Sequence, residues 1–208
     1  MIIDLEKYFE KIYVVNLDRR QDRYNGFINE INKYGLKNIE RFPAVDGKMI
    51  NTYDNPLLPG EIGILKTHLN IITKCIENNV KNVLILEDDV YFTNEILKLD
   101  EYMSLVPNDW DFIYFGGNHA GKIPPNLIND KILKLNFTLA LQCVAINNAM
   151  FDIIETILSK MNKQVDTLYA ELHDRFNAYG FYPNMAKQKP DFSDIQNKNV
   201  DYSIFFNN

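Results

Sequence analysis

The chain has 208 residues, 46% hydrophobic and 24% charged, a composition that suits a folded globular protein with a sizeable buried sheet and excludes disorder. Its net charge of -6 argues against a general nucleic-acid binder, which needs a basic face to neutralise phosphates.

Residues 12–17 form a β-branched, apolar run that predicts a strand, and residues 22–34 follow at helical spacing and end at Gly35. Residues 38–42 read as a second strand closed by the turn Val45-Asp46-Gly47, and residues 51–60, with Pro56 and Pro59, read as a loop. Ile62, Leu65, Leu69, Ile72 and Ile76 recur at helical intervals and mark the clearest helix. Residues 83–86 are a continuous apolar run, as expected of a central strand covered on both faces, and Glu87-Asp88-Asp89 follow directly. Further on, residues 94–105 are expected to be helical, 112–115 a buried strand broken by Gly116-Gly117, and 132–147 strand or hairpin. Residues 149–161 and 165–179 read as helices, and the segment from about residue 183 as irregular. The β-α alternation predicts a Rossmann-like, mostly parallel sheet flanked by helices, in a single domain over residues 1–208.

Cys75 and Cys143 are far apart and lack metal-ligand spacing, so neither a disulfide framework nor a structural zinc site is expected. No apolar run approaches the about 20 residues that span a bilayer, and residues 1–11 show no signal-peptide pattern. The expectation is a cytoplasmic protein without a transmembrane segment.

Consecutive carboxylates at the end of a buried strand repel one another, and burial raises their pKa values unless a cation or hydrogen-bond donors compensate. In open α/β sheets ligands bind beyond the carboxyl ends of the strands, where Glu87, Asp88 and Asp89 fall. Oxygen ligands of this kind suit Mg²⁺ or Mn²⁺, and strand alternation sets Glu87 and Asp89 on one side with Asp88 on the other. The alternative is a solvated turn in which the acids cap the next element.

After the first strand, Asp18 and Gln21 have the spacing of a capping box, and Arg19, Arg20 and Arg23 crowd the start of the helix. Cations there oppose the helix dipole, so a bound diphosphate would make sense of them; pairing with Asp18 and Asp22 on the surface is the alternative. No G-x-G-x-x-G or G-x-x-x-x-G-K-[ST] occurs, which leaves dinucleotide and P-loop readings without their phosphate cradle.

Several segments resemble glycosyltransferase family 25, which includes lipopolysaccharide-modifying and collagen-modifying sugar transferases. They are Val14-Val15-Asn16-Leu17-Asp18-Arg19-Arg20-Gln21-Asp22-Arg23, Phe42-Pro43-Ala44-Val45-Asp46-Gly47, and Gly60-Glu61-Ile62-Gly63 with Thr67-His68-Leu69. Leu84 to Val90 is similar to the family's L-I-L-E-D-D-V core, Val165-Asp166 to its P-V-D motif with Gln164 in place of proline, and Gln188 with Ser193-Asp194-Ile195 to its closing pattern.

The resemblance implies a GT-A fold, a nucleotide-sugar donor such as UDP-galactose or UDP-glucose, Mn²⁺ or Mg²⁺ as cofactor, and an inverting transfer to a glycan or to a hydroxylysine-type protein acceptor. In this reading Asp89 and Glu87 hold the metal, while Arg19, Arg20, Arg23, His68, Glu87, Asp88 and Gln188 face the donor. Asp166 is the first choice for the base that takes the acceptor proton, with Asp194 as second. Two alternatives stay open: a sugar nucleotidyltransferase, and a catalytically silent carbohydrate-binding domain. Trp110, Met103, Met150 and Met161 are read as anchoring or core residues.

Overall fold

The computed structural model describes residues 3–50, 54–196 and 198–201, so Asn51, Thr52 and Tyr53 of the expected loop lie outside the described residues. In chain order the elements are β1 (Lys11–Asn16), α1 (Gln21–Tyr34), β2 (Glu40–Pro43), α2 (Pro59–Glu77), β3 (Asn82–Glu87), β4 (Val90–Phe92) and α3 (Leu99–Leu105). There follow β5 (Phe112–Tyr114), β6 (Asn126–Leu127), β7 (Ile132–Lys134), β8 (Cys143–Asn147), α4 (Phe151–Leu158) and α5 (Val165–Ala170). The last are β9 (Ala178–Phe181), β10 (Ala186–Gln188), β11 (Asp191–Ser193) and β12 (Lys198–Val200).

Eight strands form the central sheet, in the order β2-β1-β3-β8-β5-β9-β7-β6. It is mostly parallel in direction: β8 and β7 run against their neighbours, and the other six point the same way. Alternation along β1 explains the layers, because Ile12 and Val14 face one core while Tyr13 and Val15 face the other. The first core takes Phe27, Ile31 and Tyr34 of α1 and Leu99 and Tyr102 of α3. The second takes Leu65, Ile71 and Ile72 of α2, Ile154 and Leu158 of α4, and Leu168 and Tyr169 of α5. Helices thus cover both faces, as expected for continuous apolar strands, and the architecture is the expected Rossmann-like, mostly parallel sheet flanked by helices.

Residues 165–179 do not form one helix: α5 stops at Ala170, and after a run of turns the buried Ala178–Phe181 pairs with β5 as β9. Apolar residues at 178–181 satisfy a buried strand as well as a helix, and the sheet has the vacancy for it. Residues 132–147 are two strands that never pair with each other, since β7 joins β9 and β8 lies between β3 and β5. The segment beyond residue 183, expected to be irregular, carries three short strands, with β10 against β4 and β11 against β12. Tertiary pairing orders it where local propensity is weak.

Close approach accounts for two glycines. A Cβ on Gly47 would meet the Pro59 carbonyl oxygen at 1.6 Å, and one on Gly63 would meet the Val45 carbonyl oxygen at 2.5 Å. The loop after β2 therefore sits directly on the first turns of α2, with Val45 N–H donating to Thr67 Oγ1 at 2.9 Å. This contact brings the ends of β1, β2 and β3 and the start of α2 around one depression.

Candidate active site

β3 ends at Glu87, whose N–H donates to the Gln142 carbonyl at 3.0 Å, and the chain turns at Asp88-Asp89 before returning as β4. The turn ends strand alternation, so Asp88 and Asp89 do not diverge as expected. Both reach Arg23: its Nε lies 2.8 Å from Asp88 Oδ1 and its Nη2 contacts Asp89 Oδ2. Asn16 Nδ2 donates to Asp88 Oδ2 at 2.6 Å, and Gln188 Nε2 donates to Asp89 Oδ2 at 3.0 Å. Asp89 Oδ1 is buried and has no hydrogen-bond partner among the described residues.

Burial, reinforced by Asp89 and only partly offset by Arg23, pushes the Glu87 carboxyl up to about 8. Burial likewise raises Asp88 to about 6, with Arg23 opposing the shift. Three acids share one guanidinium, and the cluster as it stands holds more negative charge than its surroundings neutralise.

The expected capping box at Asp18 and Gln21 does not form. Arg20 is the N-cap of α1 without a side-chain cap, Gln21 Nε2 donates to the Asp18 carbonyl at 2.9 Å, and Asp18 Oδ1 pairs with Arg41 Nη2 at 2.6 Å. Arg41 competes for the carboxylate and wins because a charged, nearly fixed guanidinium outweighs a backbone N–H. The other arginines are neither free nor simply surface-paired. Arg19 reaches Asp46 at 2.7 Å and Asp194 at 2.6 Å, and Arg20 pairs with Asp22 at 2.9 Å and also contacts Asp194. Burial alone would raise Asp194, but hydrogen bonds from Arg19 and Arg20 outweigh it and hold the carboxyl below its ordinary value.

Two adjoining cavities open here. The smaller, about 100 Å³, is lined by Arg19, Arg23, Asp46, Asp88, Asp89 and Asp194 among others. The larger, about 280 Å³, is lined by Glu61, Gln164, Asp166, Asn118, Ala140 and neighbouring residues, with no Lys, Arg or His among the described residues that line it. Glu87 and Gln188 belong to both and form part of the shared wall. Asp166 Oδ1 accepts the Thr167 N–H at 2.8 Å. Burial raises its carboxyl, while the N–H groups of Thr167 and Ala140 oppose the rise. Ala140 holds a left-handed backbone, φ 72°, uncommon for a residue with a Cβ.

Of the residues singled out from the sequence, Arg19, Arg20, Arg23, Glu87, Asp88, Asp89, Gln188, Asp166 and Asp194 all converge on this depression. His68 does not. It is fully buried, its Nδ1 lies 3.1 Å from the Tyr169 hydroxyl, and it lines neither cavity. The helix turns its ring into the core between α2 and α5, so a position at the edge of an apolar stripe became an interior one. Asn16 was missed as a site residue. It is 1% exposed and joins three groups through four hydrogen bonds: Nδ2 serves Asp88 and the Arg20 carbonyl, and Arg41 donates to its Oδ1 and its carbonyl. The available signal was a polar residue closing a buried apolar strand.

The sequence profile described as glycosyltransferase family 25 (LPS biosynthesis protein) matches residues 9–188. A glycosyltransferase 25 family member of Aedes aegypti is 34% identical over 128 residues, covering 50% of this chain and 21% of the relative. Procollagen galactosyltransferase 2 of Mus musculus is 28% identical over 148 residues, covering 58% of this chain and 24% of the relative. The chain thus spans about a fifth to a quarter of the length of these relatives. Among solved structures, a glycosyltransferase involved in the glycosylation of the major capsid of PBCV-1 aligns at 12% identity and TM-score 0.43, covering 74% of this chain and 67% of that one. A UDP-glucose pyrophosphorylase complexed with UDP-glucose aligns at 11% identity and TM-score 0.47, covering 86% and 91%. With the profile matched over most of its length, the chain belongs to glycosyltransferase family 25.

Proposed function

We propose that this chain is a metal-dependent, inverting hexosyltransferase that uses a UDP-sugar, UDP-galactose or UDP-glucose, and transfers to a hydroxyl of a glycan or protein. The observation that carries the reading is the pair of cavities sharing Glu87, one basic-rimmed beside Asp88-Asp89 and one holding Asp166. The name procollagen galactosyltransferase, borne by several relatives, supports galactose as the sugar. We place the reaction in a reducing compartment, the cytoplasm, since both cysteines are buried free thiols.

A divalent cation fits these residues. Asp89 Oδ1 is a buried oxygen without a partner, and Glu87 is kept from ionising by burial and its acidic neighbours. Among the described residues no three His, Cys, Asp or Glu side chains could enclose an ion alone. That suits Mg²⁺ or Mn²⁺ held by one or two carboxylates together with substrate phosphates. Asp89 and Glu87 would hold it, and when bound it supplies charge neutralisation for the leaving diphosphate.

The remaining work falls to the protein. Arg19 and Arg20 offer guanidinium N–H groups to the diphosphate in place of the Asp194 carboxylate they now hold. Asp88, fixed by Asn16 and Arg23, is positioned to contact the donor. Asp166 stands in the other cavity, beyond the Glu87 wall from the arginines, where it takes the acceptor proton as the new bond forms on the face away from the leaving group. Burial raises its pKa towards the working range of a general base. The test is incubation with a panel of UDP-sugars and Mn²⁺, with and without hydroxyl acceptors, following UDP release. UDP binding without release from any donor would favour the silent binding domain, and formation of UDP-sugar from UTP and a sugar phosphate would favour the nucleotidyltransferase.

A further inference from the structure

Gln164 and Glu61 border the larger cavity beside Asp166 and have no part in the chemistry above. Gln164 closes the amino end of α5, its carbonyl accepting the Leu168 N–H at 3.0 Å, yet its side chain does not cap that helix. The amide crosses instead to α2, donating from Nε2 to Glu61 Oε1 at 2.5 Å. Glu61 is itself immobilised: it is 8% exposed, and its Oε2 accepts the Leu58 N–H at 2.8 Å in the first turn of a helix of 19 residues. A short helix with no cap of its own is thereby tied to a long one anchored in the core.

The tie acts where Asp166 needs it. α5 has only six residues, too few to hold its first turn by intrahelical bonds alone. Asp166 lies two residues beyond Gln164, and its carboxylate depends on the backbone there, through the Thr167 N–H. Gln164 has φ -58°, the value a pyrrolidine ring would impose, with ψ 144° that such a ring tolerates, and no hydrogen bond leaves its N–H among the described residues. A side-chain bond to a fixed partner is doing here what a ring would do covalently.

We propose that Gln164 is a positioning residue: held by Glu61, it fixes the backbone at the start of α5 and so aims the Asp166 carboxylate into the larger cavity. The inference rests on Asp166 being the base.

The experiment compares Gln164→Ala, Gln164→Pro and Asp166→Asn with the wild type, using UDP-galactose and UDP-glucose with Mn²⁺ for turnover and NMR for amide exchange at Thr167. Gln164→Ala is expected to lower kcat about tenfold or more while the donor KM changes by less than about twofold, because only the base is misplaced. Its Thr167 amide is expected to exchange about tenfold faster or more. Gln164→Pro restores both to within about threefold of wild type, since the ring supplies the same φ. Wild-type kcat and Thr167 exchange in Gln164→Ala would overturn the proposal. Equal impairment of Gln164→Pro and Gln164→Ala would also overturn it, by showing that the amide acts directly and not through the backbone. Near-normal turnover of Asp166→Asn would remove the base reading instead, and the exchange measurement would still decide whether Gln164 holds α5.

Discussion

Arg23 Nε stands 2.8 Å from Asp88 Oδ1, and the same guanidinium contacts Asp89, so the basic helix start and the acidic strand end form one electrostatic unit. With side chains 13%, 9% and 11% exposed, the three groups are nearly removed from water. Removing Arg23 leaves buried like charges together, a loss of about 3–5 kcal/mol for breaking a buried pair. Arg20 shares Asp194 with Arg19, so its loss is partly covered. We therefore expect Arg23→Ala to lower unfolding free energy in urea by about 3 kcal/mol and Arg20→Ala by about 1 kcal/mol. Both should weaken UDP binding. Equal stability losses would show that Arg23 does not hold the acids together.

Asp89→Asn is expected to abolish most Mn²⁺-dependent UDP release, by about 100-fold or more, and to leave the thermal midpoint close to that of the wild type. Neutralising the residue weakens the contact of its Oδ2 with Arg23, and the relief of its repulsion of Glu87 and Asp88 offsets that loss. Wild-type activity in excess EDTA would sink the metal assignment.

For Asp166→Asn the expected loss in kcat is at least about 100-fold, the lower range for removing a general base, with donor affinity little changed. A parallel loss of donor affinity would make Asp166 a donor contact. Asp194, paired with two arginines and held in its charged form, would then be the poorer replacement as base.

Acid should destabilise the protein through His68. Burial lowers its pKa from 6.5 to about 4, so the unfolded chain takes up the proton first. The stability this represents is complete above about 6.5 and is lost as pH falls through about 4, amounting to about 3 kcal/mol at 1.4 kcal/mol per unit. His68→Gln keeps a hydrogen-bonding partner for Tyr169 but cannot titrate. Its unfolding free energy should fall less steeply than the wild type's between pH 6.5 and 4, by about one proton. Parallel pH curves would place the acid sensitivity elsewhere, with His173, lowered to about 3 chiefly by burial, next in line.

Gly63→Ala should cost about 1–3 kcal/mol, the range for overpacking, since its Cβ would stand 2.5 Å from a backbone oxygen that cannot rotate away. A neutral result in thermal unfolding would mean that the loop over α2 moves freely.

Much of the fold could be read from periodicity. The apolar run at Val83 to Leu86 had to be a central strand, and the stripe from Ile62 to Ile76 had to be a helix. The charged residues around the smaller cavity were legible for a different reason: clustered like charges at strand and helix ends are costly, and that cost marks a candidate site. What stayed hidden depends on tertiary pairing. Three-residue strands such as β4 and β10 exist only because each supplies the other's hydrogen bonds. His68 could not be placed because a boundary position on a helix is decided by what packs against it, here Tyr169. Asn16 looked like the end of a strand, and only the folded chain shows how many partners its amide serves.

The reversed direction of β8 has a consequence for how such a scaffold diversifies. Because Cys143 pairs with Leu86, it is the beginning of β8 that lies beside the end of β3, and the chain delivers residues 135–142 to the rim before the strand starts. Leu139, Ala140 and Leu141 in that approach line the larger cavity, whereas most residues around the smaller one follow β1, β2 and β3. Substitutions at Leu139 and Ala140, which are only half-buried, can therefore reshape one wall without shifting the register of β3, β8 and β5. One half of the depression is free to explore new shapes while the other is bound to the strands that made it.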